Sequence, residues 1–227
     1  MNKSVLFVQS TLEGHMSKQN EVDSNPVLDI FMNRRTVVLS GDIDHQSIGD
    51  VAQRLTTLQA HSSDPINLLI DSGGGITDAA LHLCDLISTI MIAPVRGIAF
   101  GSCGSAATFI MLFCNERICT PYSKFLIHSG TTSEISIPIG KTTSENLEQL
   151  LRDVKSTEEM VLGLYMSRLT PASWERKKPT EEKRREYVQK LINRGDQPFD
   201  NWMSAEEAVE VGIITEIVHG KLDIFKD

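Results

Sequence analysis

The segment from Gly101 to His128 restricts the fold of this chain more than any other. It begins with small residues (GSCGSAA), continues as a strongly apolar run, and ends in a second apolar run that carries His128. The first run, 106–113, is longer than a usual strand and predicts a buried helix with Ser105 near its first turn. Free N–H groups and the positive end of the helix dipole would then face that serine. With no bulky neighbour, Ser105 has the surroundings that a nucleophile needs.

Strand and helix patterns alternate along the first half of the chain. The predicted strands are 35–39, 66–70, 95–99 and 125–127, and the predicted helices are 44–60, with Asp44 as N-cap, and 77–90. This alternation predicts an α/β fold with a parallel sheet, in which a site lies at the carboxyl ends of the strands. With 227 residues and 41% apolar content, the chain can bury one sizeable core.

Charge and cysteine content exclude several classes of protein. A net charge of −8 argues against nucleic acid as the main partner. The apolar run at 5–8 is too short for a signal peptide or a membrane span, so we expect a cytoplasmic protein. The four cysteines form no CxxC pair, which predicts reduced core thiols and no metal site. Cys103, although close to Ser105, is interpreted as a packing residue and not as a catalytic thiol.

Three consecutive glycines separate the second strand from the helix that follows it. The run is Asp71-Ser72-Gly73-Gly74-Gly75, and glycines there let backbone N–H groups point outward without obstruction by side chains. A tight strand-to-helix turn explains the run equally well. The spacing GxGxxG is absent, so the run does not indicate a dinucleotide site.

These segments together resemble the proteolytic subunit of Clp protease (ClpP). The stretch 101–105 is similar to that family's Gly-x-Ala-Ala-Ser, and Leu126-Ile127-His128 to its Met-Ile-His. The glycine run resembles Asn-Ser-Pro-Gly-Gly, and 200–205 resembles Asp-Arg-Phe-Leu-Ser-Ala. Ser102 is an alternative nucleophile, because Ser102-Cys103-Gly104 mimics the family's Ser-Met-Gly. Ser105 is favoured, since its spacing to His128 needs no gap. The resemblance covers about 34–219.

The resemblance implies a serine endopeptidase with a ClpP/crotonase-like spiral of ββα units. It implies the catalytic triad Ser105, His128 and Asp200, with the N–H groups of Gly75 and Ala106 as the oxyanion hole. It implies no cofactor and no metal. The other histidines match no family site and are interpreted as surface or packing residues. The chain departs from the family at Gly73, where the family has proline, and at Phe199, where the family commonly has arginine.

The family also implies a division of the chain. We expect an N-terminal segment at 1–30 that gates an axial pore, a peptidase domain at 31–220 and a tail at 221–227. The domain includes a handle at 130–170 and a basic insert at 174–196. Alternating isoleucines at 135, 137 and 139 predict a strand that pairs with substrate or forms a plain hairpin. Thr142-x-x-Glu145 predicts a capping box for a helix to about Leu169. The insert is a solvated helix with ion pairs or a docking patch.

The family assembles into heptameric rings stacked as a tetradecamer, and an AAA+ unfoldase of the Clp type feeds unfolded polypeptides to the chamber. The absence of a P-loop in this sequence is consistent with such a partner. No membrane or nucleic-acid partner is expected. Two alternatives are a catalytically silent subunit of a mixed ring and a crotonase-like acyl-CoA enzyme. The first would be favoured by loss of a triad position, and the second would not need Ser105, His128 and Asp200 together.

Overall fold

A computed structural model describes residues 26–129, 143–176, 178–195, 202–222 and 224. The expected strand at 130–140, the acid Asp200 and most of the expected N-terminal gate lie outside the described residues. The first half of the chain contains α1 (Pro26–Asn33), β1 (Thr36–Ile43), α2 (His45–His61), β2 (Ile66–Gly75), α3 (Thr77–Asp85), β3 (Val95–Gly104), α4 (Ala106–Phe113), β4 (Glu116–Cys119) and β5 (Lys124–Leu126). The second half contains α5 (Ser144–Arg168), α6 (Ala172–Arg176), α7 (Glu181–Gly195), α8 (Ala205–Glu210) and β6 (Glu216–Ile217).

The described strands form one parallel sheet in the order β1-β2-β3-β4-β6, and β5 pairs with the end of β3. This confirms the predicted α/β fold with a parallel sheet. Helix α4 lies against β2 and β3, and α2 lies against β1. Residues 106–112 of α4 are all buried, as the apolar run predicted. The sheet therefore carries the core and presents its carboxyl ends at one edge.

Helix α2 shows the predicted cap. The Asp44 side chain accepts from the Ser47 N–H at 2.7 Å, and the Ser47 hydroxyl accepts from the Asp44 N–H at 3.0 Å. The predicted apolar positions Ile48, Val51, Leu55 and Leu58 are buried. The capping box at Ser204 and Glu207 also begins its helix, α8, as the pattern Ser-x-x-Glu predicts.

Several predicted element boundaries were wrong. The glycine run is not a separate turn: it continues β2, because Ile43 of β1 pairs with Gly75. The helix predicted over 77–90 is α-helical only to Asp85 and continues as a π-helical turn, Leu86–Ile90. The Thr89 hydroxyl donates to the Asp85 carbonyl at 2.5 Å, in competition with the backbone ladder. Strand β4 was not predicted.

Helix α5 begins one residue later than the predicted capping box. Thr143 is the N-cap, and its partner in the box is Asn146 instead of Glu145. The amide oxygen of Asn146 takes the role that the carboxylate of Glu145 was expected to have. Helix α5 contacts α4 and α7. None of the helices in the described part of the chain is long and apolar enough to cross a membrane.

Helix α7 lies within the expected basic insert at 174–196, and α6 overlaps the beginning of the insert. Arg185 of α7 forms an ion pair with Glu159 of α5 at 2.5 Å, and Arg194 forms one with Glu207 of α8 at 2.8 Å. The guanidinium of Arg184 lies 4.9 Å from the centre of the Trp174 ring. These contacts attach the insert to the helices on either side of it in the sequence.

Candidate active site

Ser105 has an unusual backbone conformation. It lies between the end of β3 and the start of α4, with φ 50° and ψ −125°. A residue other than glycine rarely adopts a positive φ, and such strain is concentrated at functional sites. A serine on a sharp turn between a strand and a helix presents its hydroxyl at the top of the sheet. The conformation therefore suits an exposed nucleophile.

Buried hydrogen bonds hold this turn in place. The Ser105 N–H donates to the Leu126 carbonyl at 2.8 Å, and the Ser105 carbonyl accepts from the Thr108 N–H at 2.9 Å. The Thr108 hydroxyl also donates to that carbonyl, at 2.6 Å. Since this hydroxyl has one hydrogen, it accepts from the Tyr165 hydroxyl, 2.8 Å away. Helix α5, which carries Tyr165, is thereby linked to the Ser105 turn.

Glycines make the close approach around Ser105 possible. A Cβ built on Gly74 would lie 2.6 Å from the Ser105 Cβ and 3.1 Å from the Ala106 nitrogen. A Cβ built on Gly104 would lie 2.6 Å from Cη2 of Trp202 and 2.9 Å from the Gly73 carbonyl oxygen. No other residue type has room at these two positions.

His128 reaches the same edge of the sheet as Ser105. Strand β5 runs parallel to β3, and Leu126 pairs with Gly104. Ser105 is the next residue after Gly104, and His128 follows Leu126 by two residues. Because parallel strands end on the same side, both residues lie at the carboxyl edge, and His128 is half-buried there.

Ser102 lies in different surroundings. It is part of β3, pairs with Lys124, and its N–H donates to Oδ1 of Asp71 at 2.9 Å. Ser102 lies within β3, before the start of α4 at Ala106, and so has no helix N-terminus beside it to stabilise a developing charge. Of the two serines, Ser105 has the geometry of a nucleophile.

The glycine run contacts Ser105 through Gly74. A Cβ built on Gly75 would instead meet the backbone of Ile43 in β1. Ala106 is the first residue of α4, so its N–H has no partner within the helix. The Gly74 N–H donates to the Ser72 hydroxyl at 3.1 Å. Gly74 therefore lies in close contact with Ser105 and Ala106.

Asp200 is outside the described residues, and the chain is described again from Trp202. Met203 pairs with Phe125 in an antiparallel bridge, with backbone N···O distances of 3.0 and 2.7 Å. The Trp202 ring covers Gly104. The segment that follows Asp200 thus packs directly beside the strands that carry Ser105 and His128.

The four cysteines are free and buried. Burial raises the pKa of the Cys103 and Cys84 thiols, and it raises the pKa of Cys114 to about 12 and that of Cys119 to about 11. Since the thiolate is the nucleophilic form, a thiol so protonated does not react at neutral pH. The interpretation of Cys103 as a packing residue agrees with this environment.

Two residues of the site were not predicted from the sequence. Thr108 lies within an apolar helix, and a hydroxyl in the first turn of a buried helix is a signal that could have drawn attention. Trp202 carried no such signal, because nothing in the sequence places its ring against Gly104.

Comparison with known proteins decides the family. A sequence profile described as Clp protease matches residues 18–221. The chain belongs to the Clp protease family. The ATP-dependent Clp protease proteolytic subunit 2 of Treponema denticola is 29% identical, over 96% of this chain and 98% of the relative. Subunit 1 of Chlamydia caviae is 27% identical, over 91% of this chain and 96% of the relative.

The solved structure of a ClpP1 point mutant from Listeria monocytogenes has the same fold. It superposes with a TM-score of 0.65 at 24% sequence identity, over 88% of this chain and 99% of the other. The expected ClpP-like fold is confirmed. Membership of the Clp protease family makes the chain a serine endopeptidase subunit, as its sequence indicated.

Proposed function

We propose that Ser105, His128 and Asp200 form the catalytic triad of this Clp-type protease subunit. The observation that carries the proposal is the backbone of Ser105, which has φ 50° at the first turn of a buried helix. Strain of this kind persists only where the surrounding structure enforces it, and the bonds to Leu126 and Thr108 do so here.

The chemistry follows from these roles. His128 takes the proton of the Ser105 hydroxyl while the oxygen attacks a peptide carbonyl, and then gives that proton to the leaving amine. The oxyanion of the tetrahedral intermediate accepts from the N–H groups of Gly75 and Ala106, each worth about 3–4 kcal/mol in other serine proteases. Water, activated by His128, then releases the acyl group. The contact of Gly74 with Ser105 makes the Gly74 segment a part of this pocket.

The role of Asp200 is supported by its place in the sequence next to a segment that contacts the strand before His128. In an antiparallel pair, residues equally far from a bridge in opposite chain directions face each other. Phe125 and Met203 form such a bridge. Three residues after Phe125 is His128, and three residues before Met203 is Asp200. In the proposed triad, the Asp200 carboxylate would orient the imidazole of His128 and stabilise it as the cation.

The same proposal extends to partners and assembly. The subunit would form heptameric rings stacked as a tetradecamer in the cytoplasm, with an axial gate from residues 1–30. Because the sequence has no P-loop, an AAA+ unfoldase would deliver unfolded polypeptides to the chamber. Residues 130–140 would pair with the extended substrate as an added strand.

The first test is hydrolysis of a short fluorogenic peptide by the full chain, beside Ser105→Ala and Ser102→Ala. We expect Ser105→Ala to lose activity by a factor of about 10³ or more, as when a triad member is removed, and Ser102→Ala to retain it. A fluorophosphonate should add to one residue of the wild type, located at Ser105 by peptide mass. His128→Ala and Asp200→Asn should also lose activity.

Other results would contradict the proposal. Activity that survives Ser105→Ala but not Ser102→Ala would assign the nucleophile to Ser102. A wild type that forms rings but neither cleaves peptide nor reacts with the fluorophosphonate would be a silent subunit of a mixed ring. The Ser105→Ala protein should have the circular dichroism spectrum and oligomeric mass of the wild type, so that a loss of folding is distinguished from a loss of chemistry.

A further inference from the structure

Two histidines and an aspartate meet outside the proposed triad. His45 is the first residue of α2, and Asp78 and His82 lie one helical turn apart on α3. One potential ligand atom from each residue lies within 4.8 Å of those of the other two. Nε2 of His82 is 3.7 Å from Oδ2 of Asp78, and the two imidazole rings are 6.0 Å apart between centres.

The fold brings these residues together for a simple reason. Strands β1 and β2 are parallel neighbours, and Ile43 pairs with Gly75 where they end. His45 follows Ile43 by two residues, and Asp78 follows Gly75 by three. The first turns of α2 and α3 therefore begin side by side, and the two helices contact each other. The spacing of four residues then puts His82 on the same face as Asp78.

We propose that His45, Asp78 and His82 bind a first-row transition-metal dication, with Zn²⁺ as the physiological candidate. Imidazole nitrogen suits Zn²⁺, Cu²⁺, Ni²⁺ and Co²⁺, whereas Mg²⁺ and Ca²⁺ prefer sites made of oxygen ligands. Two histidines and a carboxylate are also the protein ligands of several zinc sites, in which water takes the fourth position. The proposal does not depend on the assignment of the triad.

The three residues can reach the ligand geometry of zinc by rotation of their side chains alone. Ligand atoms at the corners of a tetrahedron with bonds of about 2.0 Å to zinc lie roughly 3.3 Å apart. The 3.7 Å separation of His82 and Asp78 is close to this value. The side chains of His82 and Asp78 are 63% and 72% exposed, so they can rotate toward the ion without disturbing the core. Bound metal would join the beginning of α2 to α3, directly beyond the glycine run that contacts Ser105.

The test is metal binding to the full chain after treatment with a chelator. Zn²⁺ binding by calorimetry should give one site per chain, and bound Co²⁺ should give the visible absorption of a low-symmetry site. His45→Ala and His82→Ala should each weaken Zn²⁺ binding about tenfold or more. Mutation of a residue that only hydrogen-bonds to a metal ligand can already cause a loss of this size. At a free Zn²⁺ concentration of about 100 Kd, the melting temperature should rise by about 5 °C or more.

His61→Ala is the matched control, because His61 is an exposed histidine at the other end of α2 and lies outside the cluster. It should bind Zn²⁺ like the wild type. Peptidase activity is not the readout, since the cluster lies outside the proposed triad. Unchanged Zn²⁺ affinity in both His45→Ala and His82→Ala would overturn the proposal, as would a wild type without the Co²⁺ absorption.

Discussion

Gly74 lies against the Ser105 turn with no space for a side chain. Its φ is +114°, a conformation that an L-residue rarely adopts, and a methyl group there would overlap the Ser105 Cβ. The neighbouring Gly73 differs in both respects: nothing lies within 4 Å of the position of its Cβ, and its φ is not in the left-handed region. Two adjacent glycines thus have opposite tolerance for the same substitution.

We therefore expect Gly74→Ala to lower kcat/KM for a fluorogenic peptide by about 100-fold or more, because displacement of Ser105, the proposed nucleophile, and of the proposed oxyanion donors would cost several kcal/mol. Gly73→Ala should stay within about threefold of the wild type, which corresponds to the small effects typical of open surface positions. Melting temperatures of both variants would separate a displaced Ser105 from general loss of stability. Equal activity of the two variants would show that Gly74 does not constrain the nucleophile.

At the scale of single residues, the sequence was informative for those features that residue chemistry and packing could explain in only one way. The turn at Ser105 into a buried helix could be predicted because tiny residues precede an apolar run that is too long for a strand. The contact of Gly74, in place of Gly75, with Ser105 could not be predicted. It depends on which face of β2 each glycine occupies, and that depends on the pairing of Gly75 with Ile43 across the sheet.

Helix α5 and the Ser105 turn are connected by a chain of hydrogen bonds through side-chain hydroxyl groups. The Tyr165 hydroxyl donates to Thr108, which donates to the Ser105 carbonyl, and both side chains are buried. The Tyr165 ring also packs on Phe109, with 5.3 Å between the ring centres. An element that projects from the sheet is thereby tied to the backbone whose strain presents Ser105.

Thr108→Val should cost more stability than Tyr165→Phe. Valine removes both the bond to the Ser105 carbonyl and the bond to Tyr165, for about 1–3 kcal/mol, whereas phenylalanine keeps the ring and the bond from Thr108 to the Ser105 carbonyl, for about 1 kcal/mol. The double variant should lose less than the sum, since both changes break the same bond. Urea unfolding measures these differences, and kcat/KM should fall with them.

Tyr122→Phe is the control for this series, because the Tyr122 side chain is 93% exposed. Its stability should remain within about 0.5 kcal/mol of the wild type. Additive losses for Thr108→Val and Tyr165→Phe would indicate that the hydroxyl groups act separately, contrary to the link described above.

Among the elements, helices with clear caps were predicted well and the ends of strands were not. Helix α2 begins after Asp44 because a local carboxylate and hydroxyl satisfy its first N–H groups, which is information held within four residues. Strand β3 extends to Gly104, five residues beyond its predicted end, because β2 and β5 pair with its second half. Such pairing joins distant segments, so periodicity alone does not reveal it.

At the scale of the whole molecule, the apolar stripe of α5 is buried along one part of the helix and exposed along another. Val161, Leu162 and Tyr165 are buried, but Leu147 and Leu151 are 46% and 54% exposed in the chain by itself. The sequence shows one continuous stripe of apolar residues at helical spacing, Leu147, Leu150, Leu151, Val154, Val161 and Leu164. Only the fold reveals that Leu147 and Leu151, near its beginning, are exposed among the described residues. Exposed leucines one turn apart are typical of a surface that contacts another subunit.

Substitution of Leu151 by aspartate tests whether this stripe holds the proposed assembly of two rings together. If the stripe packs against a second ring, Leu151→Asp places a charge in an apolar interface, and the burial of an unpaired charge should drive the assembly to a smaller species. Ser156→Asp adds the same charge to the opposite face of α5 and should leave the mass unchanged. Light scattering after gel filtration measures the mass, and circular dichroism verifies folding. A Leu151→Asp protein of wild-type mass would mean that α5 does not join the rings, whatever other surfaces hold the subunits together.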